Sequence, residues 1–410
     1  MLWALSLAAS VACERRPPVE KKVLHLGILG PFTGPSARIG AEFRGSVLMA
    51  FDAINYKIGD YAVDLIWIDS QSDPQKATTA YEEAVIRKRI DAGCLNWHSS
   101  VAVAVMELTA RYRIPHFFGM AGTGVVNEKY NSDLAKYSYW MGKGWPMPSK
   151  LTVSYVSVLE EAIKRGVWTP KSKKAAIWGE DTDWGRAFGA AIRDQLKNRA
   201  WTIAAEEYFP LSETDYYPLL HKFKNADIAL LAGTSTSPPG ISAFIKQAKE
   251  VGVRALIVAD GLGWVGEWYS LTGDSSNYVL DQIPGWMSTK AKQFAANFEK
   301  RWNLKPSPTA AGLSYDYTNF FINIANQALK EYGKVDKDTL YKVGREELMT
   351  GKLTYADGVV MKEYKYVRET APDPVVGEGE YIFPVRQYLN GQDKIVWPEA
   401  WKEAELQIPR

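Results

Sequence analysis

Two short stretches carry the residue types best suited to holding a small polar solute. One is Ala92-Gly93-Cys94-Leu95-Asn96-Trp97-His98-Ser99-Ser100, and the other is Ile114-Pro115-His116-Phe117-Phe118-Gly119-Met120-Ala121-Gly122-Thr123. In each, an apolar run ends in glycine or hydroxyl residues, which offer backbone N–H groups and side-chain oxygens to a ligand. That is the chemistry of binding more than of bond breaking. His98, Ser100 and Asp69 could be assembled into a nucleophilic triad, but the chain has no GxSxG elbow and its four histidines show no HExxH spacing. Serines at a helix start are explained by capping, and the same N–H groups can also hold a carboxylate.

Three further junctions have the same form. Leu29-Gly30-Pro31-Phe32-Thr33-Gly34-Pro35-Ser36 is rich in glycine and proline, yet it matches neither GxxxxGK[ST] nor GxGxxG, so a loop rimming a cleft accounts for it better than a phosphate cradle. Gly179-Glu180-Asp181-Thr182-Asp183-Trp184-Gly185 lacks the alternating ligands of a calcium loop. Its acids complement the start of a helix, and Trp184 can cover a ligand. Asp260 follows a fully apolar strand, where it is either an acceptor for a ligand ammonium or a turn residue. No residue set calls for a metal or an organic cofactor.

The elements that must position these junctions alternate in type. Residues 23–29, 62–68, 91–95 and 114–118 read as strands, with helices over 40–57, 75–88 and 101–112 between them. After a glycine and proline cluster around Trp145-Pro146, a second series follows: helices over 150–165, 184–198, 217–225 and 241–250, and strands over 174–178, 202–208, 228–232 and 255–259. Repeated βαβ units imply two α/β lobes, each a parallel sheet with helices on both faces and ligand loops at the carboxyl ends of its strands. Strand 279–284 and helices 290–302 and 310–332 come next, and 353–409 holds short strand-like pieces at 359–366, 381–389 and 394–397. The expected division is lobe 1 from 23–143 with 279–350, and lobe 2 from 144–278 with 351–410 as a hinge-crossing tail.

Composition narrows the function. The 410 residues suffice for two or three domains, and 49 Lys plus Arg against 47 Asp plus Glu point to neither nucleic acid nor an anionic membrane surface. Fifteen tryptophans and 22 tyrosines suit an aromatic-lined cleft. Residues 1–12 (MLWALSLAASVA) have the length of a signal-peptide core and are too short for a span of about 20 residues. Ser10-Val11-Ala12-Cys13 resembles a bacterial lipobox, which would make Cys13 a lipidated first residue; cleavage after Ala12 without lipidation is the alternative. Residues 14–22 then form a tether, and the expected location is extracytoplasmic, in the periplasm or at the cell surface.

In order along the chain, Leu26-Gly27-Ile28-Leu29-Gly30-Pro31-Phe32-Thr33-Gly34-Pro35, Asp69-Ser70-Gln71-Ser72-Asp73-Pro74, Ala121-Gly122-Thr123, Trp184-Gly185 and Phe244-Ile245-Lys246-Gln247-Ala248 resemble the solute-binding proteins of branched-chain amino-acid ABC transporters. The resemblance runs over residues 23–397 and implies a type I periplasmic binding fold that closes two lobes around a ligand, with an ABC permease as partner, no cofactor, no enzymatic activity and a monomeric state. It also implies that Ser100, Ala121 (through its carbonyl) and Thr123 grip the α-carboxylate and α-ammonium of an amino acid. Asp260 would take the ammonium from the second lobe, Trp184 would cover the ligand, and Tyr315 would complete the set. Ile39 before Gly40, Thr234, and Trp97 and His98 beside Ser100 depart from the pattern, so Trp97 and His98 are expected to set which ligand is held. Amides, urea or aromatic acids on the same fold, or a ligand-sensing receptor, are the alternative readings.

Overall fold

An octapeptide of almost uniform apolarity, VLHLGILG, opens the folded part, and such a run is stable only where both faces of a strand are covered. It forms β1 (Val23–Gly30) near the middle of the first sheet of the computed structural model, which describes residues 22–376 and 383–409. The 1–12 segment and Cys13 lie outside the described residues. The chain continues through α1 (Ala37–Ala53), the hairpin β2 (Lys57–Ile58) and β3 (Tyr61–Asp69), α2 (Pro74–Ile86), β4 (Ala92–Cys94), α3 (Ser99–Tyr112), β5 (His116–Gly119), α4 (Gly124–Ser132), α5 (Leu134–Tyr137) and β6 (Trp140–Lys143). The sheet order is β2-β3-β1-β4-β5-β6, and every pair except β2 with β3 is parallel.

A second unit repeats this logic. It contains α6 (Pro148–Lys164), β7 (Lys174–Glu180), α7 (Asp183–Lys197), β8 (Thr202–Phe209), α8 (Tyr217–Asn225), β9 (Leu230–Thr234), α9 (Pro238–Val251), β10 (Leu256–Asp260), α10 (Trp268–Thr272) and β11 (Leu280–Gln282). Strands β8-β7-β9-β10-β11 are parallel, and their order matches β3-β1-β4-β5-β6 of the first sheet. The two-lobed α/β architecture expected from the alternation is therefore present.

The connections between lobes differ in detail from the expectation. Because β11 pairs with β10, the chain leaves the second sheet after Gln282 and not at 279. It then forms α11 (Thr289–Trp302), α12 (Leu313–Tyr332) and α13 (Lys337–Glu346), and both α11 and α12 pack against α1 of the first lobe. The 359–366 piece is not a strand. Only the isolated bridges Tyr355–Tyr364 and Tyr366–Pro374 form there. Asp316 of α12 explains this, because its buried carboxylate accepts the N–H groups of Val359 and Val360 and the Tyr364 hydroxyl, which ties the segment to the first lobe. The chain rejoins the second sheet as β12 (Val385–Leu389) and β13 (Gln392–Trp397), both antiparallel.

One buried ion pair anchors this returning segment beside the cleft. Lys143, at the end of β6, meets Asp373 at 2.8 Å with both side chains almost wholly buried (0% and 1% exposed). Its ammonium also donates to the carbonyls of Gly122 and Thr123 at 3.3 Å and to Asn127 Oδ1 at 2.7 Å. A buried charge that loses its partner is costly, so Asp373→Ala should lower stability by about 3–5 kcal/mol in urea unfolding. The double variant Lys143→Met with Asp373→Leu should recover part of that loss, since it removes both charges together but takes partners from the Gly122 and Thr123 carbonyls, Asn127 and the Met147 N–H.

Candidate functional site

A parallel strand delivers its carboxyl end, and the start of the next helix, to one edge of its sheet. Here the two sheets present those edges to each other. Ser36 Oγ, beyond β1, donates to the Thr236 carbonyl beyond β9 at 2.8 Å. The Asp183 N–H at the start of α7 donates to Ser100 Oγ of α3 at 3.1 Å, and Thr236 Oγ1 lies 3.2 Å from His98 Nδ1. At the rim, Arg38 of α1 forms an ion pair with Glu267 of the second lobe and a second one with Glu42 at 2.9 Å. The lobes are thus in a closed arrangement.

Between them lies a cavity with about 280 Å³ of space free of protein atoms, lined by Trp97, Ser99, Met120, Trp145, Trp184, Thr236 and Trp264. Part of that space is open to solvent, and the enclosed part suits a small solute. Trp97, Ser99, Met120 and Trp145 come from the first sheet's junctions, and Trp184, Thr236 and Trp264 from the second's. Trp264 is the hub of the indoles: its ring centre is 5.3 Å from Trp97, 5.9 Å from Trp145 and 6.0 Å from Trp184. Trp184 and Trp145 can approach because residue 122 is glycine. A Cβ there would fall 2.3 Å from the Trp184 ring and 3.0 Å from Trp145.

The loop that carries Trp264 is held by a carboxylate. Asp281 of β11 accepts the N–H groups of Gly261 at 3.0 Å and Gly263 at 2.7 Å, and the Tyr388 hydroxyl at 2.8 Å. Gly261 has φ +113°, and a Cβ on it would lie 2.8 Å from the Ser235 carbonyl, so glycine is required. Asp260 is fully buried and accepts from the Tyr155 hydroxyl at 2.8 Å, while its Oδ1 has no partner among the described residues. Burial, together with the neighbouring Asp281 carboxylate, pushes Asp260 well above the usual carboxylate range. Glu180 stands behind Thr236, accepting its N–H at 2.5 Å and its hydroxyl at 2.8 Å, and burial raises its pKa as well.

The expected site residues are distributed as follows. Trp97 and Trp184 line the cavity, and the Trp184 indole N–H donates to Thr234 Oγ1 at 2.9 Å. Ser99 lines it too, accepting the Thr123 N–H at 3.3 Å, while the Ser100 hydroxyl is engaged by Asp183 across the cleft. Thr123 caps α4 through its hydroxyl, at 3.3 Å from the Val125 N–H. Ala121 and Thr123 are buried in the same loop, which the Met120 N–H ties to the Asn96 carbonyl at 2.9 Å. His98 is one step removed, behind Thr236. Asp260 is not among the lining residues. Tyr315 lies elsewhere, its ring 4.5 Å from Phe294 in the cluster joining α11 and α12. Ser99, Met120, Trp145, Thr236 and Trp264 were not among the expected site residues; their position just past the strand ends is the signal that would have found them.

The family described as periplasmic binding protein matches residues 23–368. The Leu/Ile/Val-binding protein homolog 6 of Brucella suis biovar 1 (strain 1330) is 22% identical over 255 residues, 62% of this chain, and the match spans 60% of that relative's length. Among solved structures, a branched chain amino acid ABC transporter from Thermus thermophilus with bound valine has a TM-score of 0.73 at 16% identity, covering 92% of this chain and 96% of the other. A solute binding protein of an ABC transporter from Rhodopseudomonas palustris BisB5 in complex with 3,4-dihydroxy benzoic acid has a TM-score of 0.71 at 19% identity, covering 90% and 95%.

His98 gives the site a pH dependence that can be read. Burial pushes its pKa down to about 3, so the closed protein holds it neutral. Between about pH 6.5 and 3 the unfolded chain binds this proton and the folded chain does not, so stability is complete above about 6.5 and falls as pH drops. His98→Gln should therefore retain about 2 kcal/mol at pH 5 that the parent loses relative to pH 7, measured by urea unfolding at both pH values. Glu42, pushed up to about 7 by burial, acts with the opposite sign, and it cancels in the difference between variant and parent.

Proposed function

Because this chain belongs to the periplasmic binding protein family, a family of binding proteins and not of enzymes, we propose that it is the extracytoplasmic solute-binding component of an ABC importer, closing on an amino acid or related small zwitterion. Among the described residues no helix is long and apolar enough to cross a membrane, so a partner permease would carry the solute across. The observation that carries the ligand reading is the two-sided cavity. On one side stands the first turn of α3, where His98 at the N-cap provides no side-chain cap and Ser99 faces the cavity. Unpaired N–H groups of a helix start favour a carboxylate. On the other side stand Trp184, Thr236 and Trp264, with Glu180 behind Thr236.

In this reading Ser99 and the 121–123 loop seat the carboxylate, and Ser100 and Asp183 lock the lobes. Trp97, Trp145, Trp184 and Trp264 surround the amine end. Asp260, engaged by Tyr155, supports the wall through the loop it begins. Valine in the Thermus neighbour and the Leu/Ile/Val label of the Brucella relative accord with an amino acid. The tryptophan lining and the Rhodopseudomonas neighbour's 3,4-dihydroxy benzoic acid favour an aromatic acid as the second reading.

Titration calorimetry with a panel of amino acids, amides and aromatic acids decides between them. The expected result is heat with an amino acid or its derivative and a smaller radius of gyration in solution scattering as the lobes close. Binding by 3,4-dihydroxybenzoate alone would replace the zwitterion by the second reading. Ser99→Ala should weaken a carboxylate-bearing ligand by about tenfold through loss of one polar contact. Glu267→Gln, which does not touch the cavity, should weaken it by about three- to tenfold by removing the Arg38 ion pair made only when the lobes are closed.

A further inference from the structure

The cavity is short of acceptors for an ordinary ammonium. Its lining side chains include two hydroxyls, Ser99 and Thr236, and no carboxylate. Each already has a partner: Ser99 Oγ accepts the Thr123 N–H, which leaves its O–H to donate to a carboxylate, and Thr236 Oγ1 donates to Glu180 and faces His98. A primary ammonium brings three N–H donors, and each one left unpaired in a desolvated cavity is costly. Glu180 and Asp260 are buried behind the wall and do not line the cavity.

The aromatic wall has the complementary property. The indole faces of Trp97, Trp145, Trp184 and Trp264 attract a cation without asking it for hydrogen bonds, and the buried N–H groups of Trp97, Trp145 and Trp264, without a partner among the described residues, are donors for the carboxylate of the same zwitterion. Trp264 stands at 89° to Trp97, 82° to Trp145 and 53° to Trp184. Trp97 and Trp145 each meet Trp264 in a T-shaped contact, and a space bounded by crossed rings suits a compact, rounded group better than the flat ring of an aromatic acid. No cationic side chain lines the cavity to compete for the ring faces. Two of the indoles come from each lobe, so the cage is complete only after closure.

We infer that the tryptophan cage selects a methylated ammonium, one with its N–H groups replaced by methyl groups, over the primary ammonium of a common amino acid. This rests on the zwitterion reading above and specifies its amine end: a carboxylate at the start of α3 and a trimethylammonium among the indoles.

Three carboxylates matched in skeleton test it with the purified full-length chain in titration calorimetry: glycine, N,N,N-trimethylglycine and 3,3-dimethylbutanoate, in which carbon replaces the charged nitrogen. Trimethylglycine should bind at least about tenfold more tightly than either of the others. Trp264→Leu should erase that preference; Trp97→Leu, in the other lobe, serves if the first variant does not fold. Equal or tighter binding of glycine overturns the cage assignment and leaves the amino-acid reading standing. Equal binding of 3,3-dimethylbutanoate overturns it by showing that shape alone is read. Heat with 4-hydroxybenzoate and none of the three overturns both readings, and no heat with trimethylglycine overturns the cage.

Discussion

Parallel pairing is the constraint on which the rest of this molecule depends. It sends every strand of β3-β1-β4-β5-β6 and of β8-β7-β9-β10-β11 in one direction within its sheet, so the functional loops of each lobe gather at one edge. Ser36, His98, Ser100, Asp183, Thr236 and Glu267 come from five junctions, yet they meet because those two edges face each other. These cross-lobe bonds are few and polar, and they are joined by apolar contact: one cluster of buried side chains includes residues of both sheets and the Trp97–Trp264 pair, while a second belongs to the second sheet and its helices.

The cavity is shaped by groups that never touch it. Asp281 fixes the loop before Trp264, Lys143 holds the carbonyls of Gly122 and Thr123, and the absence of a side chain at Gly122 admits two indoles. Asp316 performs a comparable task further away, tying the 359–364 segment to α12. In each case a buried charged group collects several hydrogen bonds, which is the condition under which burying it can be tolerated. These are fixed points against which large aromatic side chains can be placed.

Electrostatics separate the wall from what stands behind it. The lining is uncharged, and Glu180, Asp260 and Asp281 are buried in the second lobe, with their pKa values raised chiefly by desolvation. Lys143, the buried cation of the first lobe, is engaged by Asp373. A small solute entering this cleft therefore meets ring faces, hydroxyls and a helix start, with its solvent removed by closure. Selectivity under those conditions follows from which donors and acceptors the solute leaves unpaired.

How much of this was legible in the chain can be argued residue by residue. The alternation of apolar strands and amphipathic helices from Val23 to Asp260 is a local property, so both sheets and most of their helices were readable, as was the placement of Trp97, Ser99 and Trp184 at strand-to-helix junctions. α13, with few apolar residues, was not readable by periodicity, although Asp336 and Thr339 form a capping box at its start. The 359–366 piece looked like a strand because its residue types favour one, and Asp316, more than 40 residues earlier, claims its N–H groups instead. Trp145 and Trp264 were visible as aromatics but not as partners. By itself the sequence determined most of the secondary structure of the two sheets, the two-lobed class and the family pattern, because these follow from local periodicity and ordered motifs. Only the tertiary structure decided that Ser99 lines the cavity while Ser100 spans the cleft, that Asp260 stands outside it, and that four indoles converge, because each depends on how two sheets distant in sequence are brought edge to edge.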